Sequence, residues 1–353
     1  MGRTAAKALS VLGWPASRAR GRAVPDPSAL RILAHVGGFL PRLRGGAEVS
    51  LARTLRELTA RGHRVRVVVD DPEATTGVVE GLEVTAAPSR RDLRAAYRWA
   101  DVAVTQLDAR NRAVRYAAFA RRPIVHFVHT SGSDLHTHSP PDLRVFAADW
   151  RAESGLSQPL SIVLHPLIDA ARYRVTRGDA VTLVNLSREK GAELFYELAA
   201  RLPEQRFLGV RGGWGPQIVP TELPPNVEIA ETTPDMRVVY GETRVLVLPS
   251  AYELHPRVPL EAACSGIPTV ATPLEGVREA MGSAALYADG ADLDAWVAHL
   301  RRLADPEFFA VRSRVAQQRF AEYTRATAGE LDVLERHLVR LASAGEGCAL
   351  GRE

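Results

Sequence analysis

Short apolar runs alternate with amphipathic stretches along most of the chain, and the two periods predict strands and helices in turn. Arg31-Ile-Leu-Ala-His35 opens the pattern as a strand, and AEVSLARTLRELTARGH carries apolar residues at helical spacing up to a stop at Gly62. RVRVVVD returns to a strand, and DVAVTQ, the helix-like RNRAVRYAAFARR and PIVHFVH continue the alternation. The period is then lost over LHPLIDAARYRVTRGD, where Pro, Gly and mixed charge predict a linker. It restarts with AVTLVNL, a helix over GAELFYELAARL, a strand at RFLGV and another at Val245–Leu248. A helix from about Pro259, the strand GIPTVAT, helices near Val277–Met281 and Leu293–Leu303, and a helical stretch from about Arg312 to Leu341 complete it. Strands that are apolar throughout suit a parallel sheet covered on both faces, so both halves read as α/β domains.

The 353 residues are too many for one compact core and suit two domains. Residues 31–164 are expected to form the first, 165–179 the linker, 180–314 the second and 315–341 a terminal helix, with tails at 1–30 and 342–353. No apolar run reaches membrane-spanning length, and KALSVLGW is not followed by a convincing cleavage site, so no signal peptide is expected and the cytoplasm is the default. Cys264 and Cys348 provide neither a disulfide framework nor a cysteine zinc site. Arg3, Lys7, Arg18, Arg20 and Arg22 against Asp26 account for the whole formal charge of +4. The body is therefore neutral and nucleic-acid binding is not expected. The basic tail reads as a solvated, disordered segment, with weak peripheral contact to an anionic membrane as the second reading.

Chemistry concentrates in PSAYELHPRVPLEAACSGIPTVAT, where Glu253 and Glu261 are separated by seven residues. The strand before Pro249-Ser250 and the helix closed by Gly266 and Pro268 place Glu253 on a loop and Glu261 in the first helical turns. Both acids then stand where ligands bind in open α/β sheets, outside the carboxyl ends of the strands.

The run from Asp235 to Ala271 resembles the donor-site signature of retaining glycosyltransferases of family 4. The resemblance implies the GT-B fold: two Rossmann-like domains facing across a cleft, with the last helix crossing back to the first domain. It also implies transfer of a sugar from a nucleoside diphosphate sugar to an acceptor hydroxyl, small-molecule, glycan or lipid-linked, with no metal and no further cofactor. By the same resemblance Glu253 supports the transferred sugar, Glu261 holds the ribose hydroxyls, and Arg257 and Val258 fall within the donor-binding stretch. Gly45-Gly46-Ala47-Glu48 is similar to the family's glycine turn, with Gly46 near the diphosphate. NLSREKGAEL resembles its phosphate-binding segment through Lys190-Gly191. Asn185 stands where the family has an Arg, which leaves Arg188 as the substitute. His129, followed by Thr130 and Ser131, is similar to an acceptor-side His and is the second candidate for the catalytic centre. Pro256 replaces the family's small residue.

Three other readings compete. A non-catalytic nucleotide-sugar-binding homologue would show the same departures at Asn185 and Pro256. A metal-dependent hydrolase would use His126, His129, Asp134, His136 and His138, but His126 and His129 face opposite sides of a strand and no metal motif is present. Asp292-Leu-Asp294 copies a metal-binding pattern but begins a helix, where Asp is ordinarily a cap. A nicotinamide dehydrogenase would place Asp70 on a ribose, yet HVGGFLPRLRGG is too long for the dinucleotide turn and lacks its glycine spacing.

Overall fold

The computed structural model describes residues 26–129, 139–153, 160–212 and 215–344. Most of the basic tail, and Thr130, Ser131, Asp134, His136, His138 and Cys348, lie outside the described residues. In chain order the first half comprises β1 (Arg31–Val36), α1 (Gly46–Ala60), β2 (Arg64–Val69), β3 (Gly77–Val79), β4 (Leu82–Ala86), α2 (Arg90–Trp99), β5 (Val102–Gln106), α3 (Arg110–Ala120), β6 (Ile124–Val128), β7 (Leu143–Phe146), α4 (Asp149–Glu153) and β8 (Ser161–Val163). These strands form an eight-stranded sheet in the order β3-β4-β2-β1-β5-β6-β7-β8, parallel except for the β3–β4 pair. The second half comprises β9 (Ala180–Val184), α5 (Ala192–Arg201), β10 (Phe207–Val210), β11 (Val227–Ala230), α6 (Met236–Glu242), β12 (Thr243–Leu248), α7 (Val258–Ala263), β13 (Thr269–Ala271), α8 (Glu275–Met281), β14 (Ala285–Tyr287), α9 (Leu293–Ala304) and α10 (Pro306–Ala344). Its six strands are all parallel, in the order β11-β10-β9-β12-β13-β14.

The strands that sequence pattern finds are the long central ones, where Val and Ile runs are buried on both faces. β3, β8, β13 and β14 have three residues each, too few for a period to register, and of these only β13 was marked, by its Gly and Pro boundary. Caps set several helix starts: Ser89 Oγ accepts from Asp92 N, and Asp292 Oδ1 accepts from Ala295 N. Asp292 is thus a cap, while Asp294 pairs with Arg201 at the surface. Asp70 lies 3.0 Å from His35 Nε2 and 2.5 Å from Arg112 Nη1, so its carboxylate is committed to the fold rather than to a ribose.

The terminal helix starts at Pro306, earlier than its apolar period alone indicates, because Pro fits a first helical position and Asp305 Oδ1 accepts from Phe308 N. One stripe of α10 is buried at intervals of three and four: Phe309, Ser313, Ala316, Phe320, Tyr323, Thr327, Leu331, Leu334, Leu338 and Ala342. Phe309 packs with Phe195, Phe207 and Trp296 against the second sheet. Ala316, Phe320 and Tyr323 pack with Leu260 and Ile267. Leu331, Leu334 and Leu338 join Ile32, Leu51, Leu55 and Val67 in the core of the first sheet. The helix therefore crosses from the second domain to the first. Gly266, in the left-handed region at φ +70°, lets the turn after α7 lie against it, since a Cβ there would stand 2.5 Å from Ser313 Oγ. Among the described residues no helix is long and apolar enough to cross a membrane.

Leu334→Ala deletes a fully buried side chain from the first-domain core. It is expected to lower stability by about 2–5 kcal/mol in denaturant unfolding. An unchanged unfolding midpoint would mean that α10 does not dock there.

Candidate active site

In each sheet the strand order reverses beside a central strand, at β1/β5 in the first and β9/β12 in the second. Such switch points leave a crevice at the carboxyl ends of the strands. A cleft of about 880 Å³ runs between the two edges, lined by Gly45, Gly46, Glu48 and His129 from the first domain and by Asn185, Lys190, Glu253 and Glu261 from the second.

The loop after β9 leaves the strand through Asn185 at φ 73° and ends in a tight turn over Arg188–Lys190. Gly191, at φ +81°, packs this turn on the loop after β12: a Cβ there would lie 2.5 Å from the Pro249 carbonyl oxygen. The Ala251 amide donates to the Glu189 carbonyl at 2.9 Å, closing the two loops together. As a result Lys190 Nζ donates to Glu253 Oε1 at 2.5 Å, and Ser250 Oγ donates to the same oxygen at 2.8 Å. The loop carrying Glu253 is backed by Gly276 of α8, where a Cβ would stand 2.1 Å from the Leu254 carbonyl oxygen.

Glu261 sits in the cleft wall, buried. Its Oε2 accepts from Tyr240 Oη at 2.9 Å and its Oε1 from Arg257 Nε at 3.2 Å. Arg257 is buried too, and its Nη1 donates to Ser50 Oγ of α1 and to the Leu167 carbonyl, while Nη2 donates to Tyr173 Oη. Burial works against its charge, but Glu261 and then Tyr173 more than compensate and leave the guanidinium firmly protonated. Val258 opens α7, and its carbonyl accepts from Tyr240 Oη at 3.4 Å.

Across the cleft, Gly45 caps α1 and Gly46 is its first residue. Gly46 faces the Arg257 side chain, with 3.9 Å between a Cβ built there and Cδ. The Glu48 carboxyl folds back over this turn. Burial raises its pKa, and the Glu48 and Gly45 amides act in the opposite sense. His129 follows β6 and its ring stacks on Phe127 with centroids 6.4 Å apart.

Seven of the eight residues singled out by sequence therefore line the cleft, and Arg188 does not. Its side chain is 83% exposed and pairs with Glu193, because the tight turn points it away from Lys190. Asn185, at the position of the absent Arg, accepts from Gln217 Nε2 at 2.9 Å. The cation that does line the cleft beside it is Arg211, directly after β10, with its Nε 3.0 Å from Glu231. Sequence reading missed Arg211, although an Arg between a strand end and Gly212-Gly213 is a usable signal. It also missed Tyr240 and Tyr173, which packing alone assembles.

Behind the loop that carries Glu253, His165, Glu279 and Glu330 bring the two halves together. His165 Nδ1 lies 2.8 Å from Glu330 and Nε2 lies 2.8 Å from Glu279. Burial lowers the His165 pKa, but these two hydrogen bonds outweigh it and hold the value up to about 9. Glu279 also accepts from the Asp149 and Trp150 amides, both at 3.0 Å. Beside them His255 is buried and neutral, its pKa pushed well down by burial and then by the charge of His165.

Residues 178–305 match the model of the family described as Glycosyl transferases group 1. Comparison with curated proteins gives no match. Among solved structures, HepE of Anabaena in complex with UDP-glucose superposes with a TM-score of 0.70 at 15% identity, covering 89% of this chain and 100% of that one. Sucrose-phosphate synthase of Thermosynechococcus elongatus gives 0.66 at 15%, covering 88% and 99%. TarM gives 0.70 at 9%, covering 87% and 98%. The fold is GT-B. With residues 178–305 matching a glycosyl transferase domain on one side of the cleft, the chain is a glycosyltransferase.

Gly276→Ala would force a methyl group into the Glu253–Leu254 backbone. Ligand binding in the cleft, read by isothermal titration with nucleoside diphosphates, is expected to weaken more than tenfold while circular dichroism stays native. Unaltered binding would show that the Glu253 loop is not held from behind.

Proposed function

We propose that the protein is a retaining family 4 enzyme that moves a sugar from a nucleoside diphosphate donor to an acceptor hydroxyl, with no metal at the diphosphate. The observation that carries this reading is the Lys190–Glu253–Ser250 cluster at the switch point of the second sheet. The nucleotide lies on the second domain, where Glu261 retains acceptor capacity for ribose hydroxyls beyond its bonds to Tyr240 and Arg257. The diphosphate lies over Lys190, with Arg211 as the second cation in place of the missing Arg. Charge building on the leaving diphosphate is stabilised by these fixed cations, the role a metal plays elsewhere. Donor binding draws Lys190 toward phosphate and frees Glu253 for the transferred sugar, where it stabilises positive charge at the anomeric carbon.

The acceptor occupies the first domain near His129, Gly46 and Glu48. A small-molecule, glycan or lipid-linked hydroxyl fits this assignment; for a lipid-linked one, contact of the basic residues 1–30 with an anionic membrane is the second reading of that segment. The cytoplasm is the compartment we assign. UDP-glucose is the first donor to test, since HepE was solved with it, followed by GDP- and dTDP-sugars. The anomeric configuration of the product, read by NMR, tests retention. Donor binding by the wild type without any turnover would identify a nucleotide-sugar-binding homologue instead.

The two partners of the ion pair are expected to fail differently. Lys190→Ala should weaken nucleoside diphosphate binding by about 1.5–3 kcal/mol, the loss typical of one charge-assisted contact. Glu253→Gln should lower kcat by about 100-fold or more while the nucleotide still binds. Steady-state kinetics with separate titration of the nucleotide distinguish them, and wild-type behaviour of both variants would remove the assignment.

Turnover is also expected to be the same with and without added magnesium or manganese. A dependence on either ion would place a metal on the diphosphate and displace Lys190 from that role.

A further inference from the structure

We propose that His165, His255, Glu279 and Asp149 bind one zinc ion, which pins the loop behind Glu253 to the first domain. The inference goes beyond the transfer reaction and does not depend on it. Its first support is His255. The side chain is 1% exposed, yet neither ring nitrogen has a hydrogen-bond partner. A buried polar group left this way is costly and calls for a ligand. Its Nε2 points at Glu279 Oε1 across 3.8 Å, too far for a hydrogen bond and suited to two ligands of one ion.

The rest of the donor set follows. The ligand atoms of His165, His255 and Glu279 all lie within 4.8 Å of one another. His165 Nε2 is 2.8 Å from Glu279 Oε1 and 3.8 Å from Asp149 Oδ2. Ligands of a tetrahedral zinc with bonds of about 2.0–2.1 Å stand about 3.3 Å apart, between these values. Two imidazoles with two carboxylates favour zinc over magnesium or calcium, which prefer all-oxygen shells.

The surroundings are those of a metal ligand set. Glu330 accepts from His165 at Nδ1, which leaves Nε2 as the coordinating atom. The Trp150 amide donates to Glu279 Oε2 at 3.0 Å and fixes the carboxylate. Asp149, 60% exposed, is the open side through which an ion enters. On binding, zinc takes the place of the Nε2 proton of His165, and one proton is released to solvent.

Asp149 and His165 belong to the first domain and its exit, while His255 and Glu279 belong to the second. His255 is two residues past Glu253, and the Leu254 carbonyl accepts from Trp150 Nε1 at 2.9 Å. The ion therefore braces the loop that carries Glu253 without touching the diphosphate cations.

The test uses the untagged full chain, stripped with chelator and reloaded with zinc chloride. Elemental analysis after exchange into zinc-free buffer should give one zinc per chain, the melting temperature should rise on reloading, and cobalt substitution should give the visible bands of a tetrahedral site. His255→Phe, which keeps the ring volume, should abolish stoichiometric binding, and Glu330→Gln should weaken it about 10–100-fold. If His255→Phe does not fold by circular dichroism, Asp149→Asn provides the same reading from an exposed ligand. Zinc below stoichiometry with no thermal shift would overturn the proposal. So would zinc that survives His255→Phe and is lost in His136→Ala/His138→Ala, which would move the metal to the His-rich segment. Nucleoside diphosphate titration of the same samples keeps this outcome separate from the donor assignment.

Discussion

One buried cation ties the molecule together where it is used. Arg257 reaches from the start of α7 to Ser50 of α1, to the backbone at Leu167 and to Tyr173 in the linker, while Glu261 neutralises it from the next turn. Removing a guanidinium from water costs several kcal/mol, so the position is tolerable only because its donors find partners. Those partners belong to both domains and the segment between them. Arg257 thus holds α1, with Gly46 at its start, against the start of α7.

The same network alters how the pair of acids is read. Spacing alone makes Glu253 and Glu261 look equivalent, two carboxylates on either side of a helix start. Packing separates them. Glu253 meets a mobile-stemmed lysine and a serine at the cleft surface, whereas Glu261 is held by a tyrosine and an arginine that are themselves buried. A carboxylate with an exchangeable partner suits a group whose interactions change during reaction, and one fixed from two sides suits a group that only holds.

Much of the fold was legible because its central strands are unbroken apolar runs and its longer helices keep a clean period. Val67-Val68-Val69 and Val245–Leu248 suit a parallel sheet covered on both faces, which is where the structure puts them. The short edge strands and α6 lacked any such signal. At the site, Lys190, Glu253 and Glu261 were legible because strand, loop and helix follow one another within a few residues. Arg188 was misplaced for a physical reason: the turn over Arg188–Lys190 rotates successive side chains to different sides, and sequence offset does not carry that rotation. The Arg257 bridge and the His165–Glu279–Glu330 group join residues up to 207 positions apart, a distance at which only the assembled tertiary structure brings them into view.

The crossing of α10 also has a consequence for the order in which the chain matures. Leu331, Leu334 and Leu338 complete the core around Ile32, Leu51 and Val67, yet they follow both sheets in the chain. Until they are made the amino-terminal domain presents an uncovered apolar face, so it cannot finish folding first and wait. The first sheet therefore completes its core only after the second has been made, and its uncovered face is prone to association in the interval.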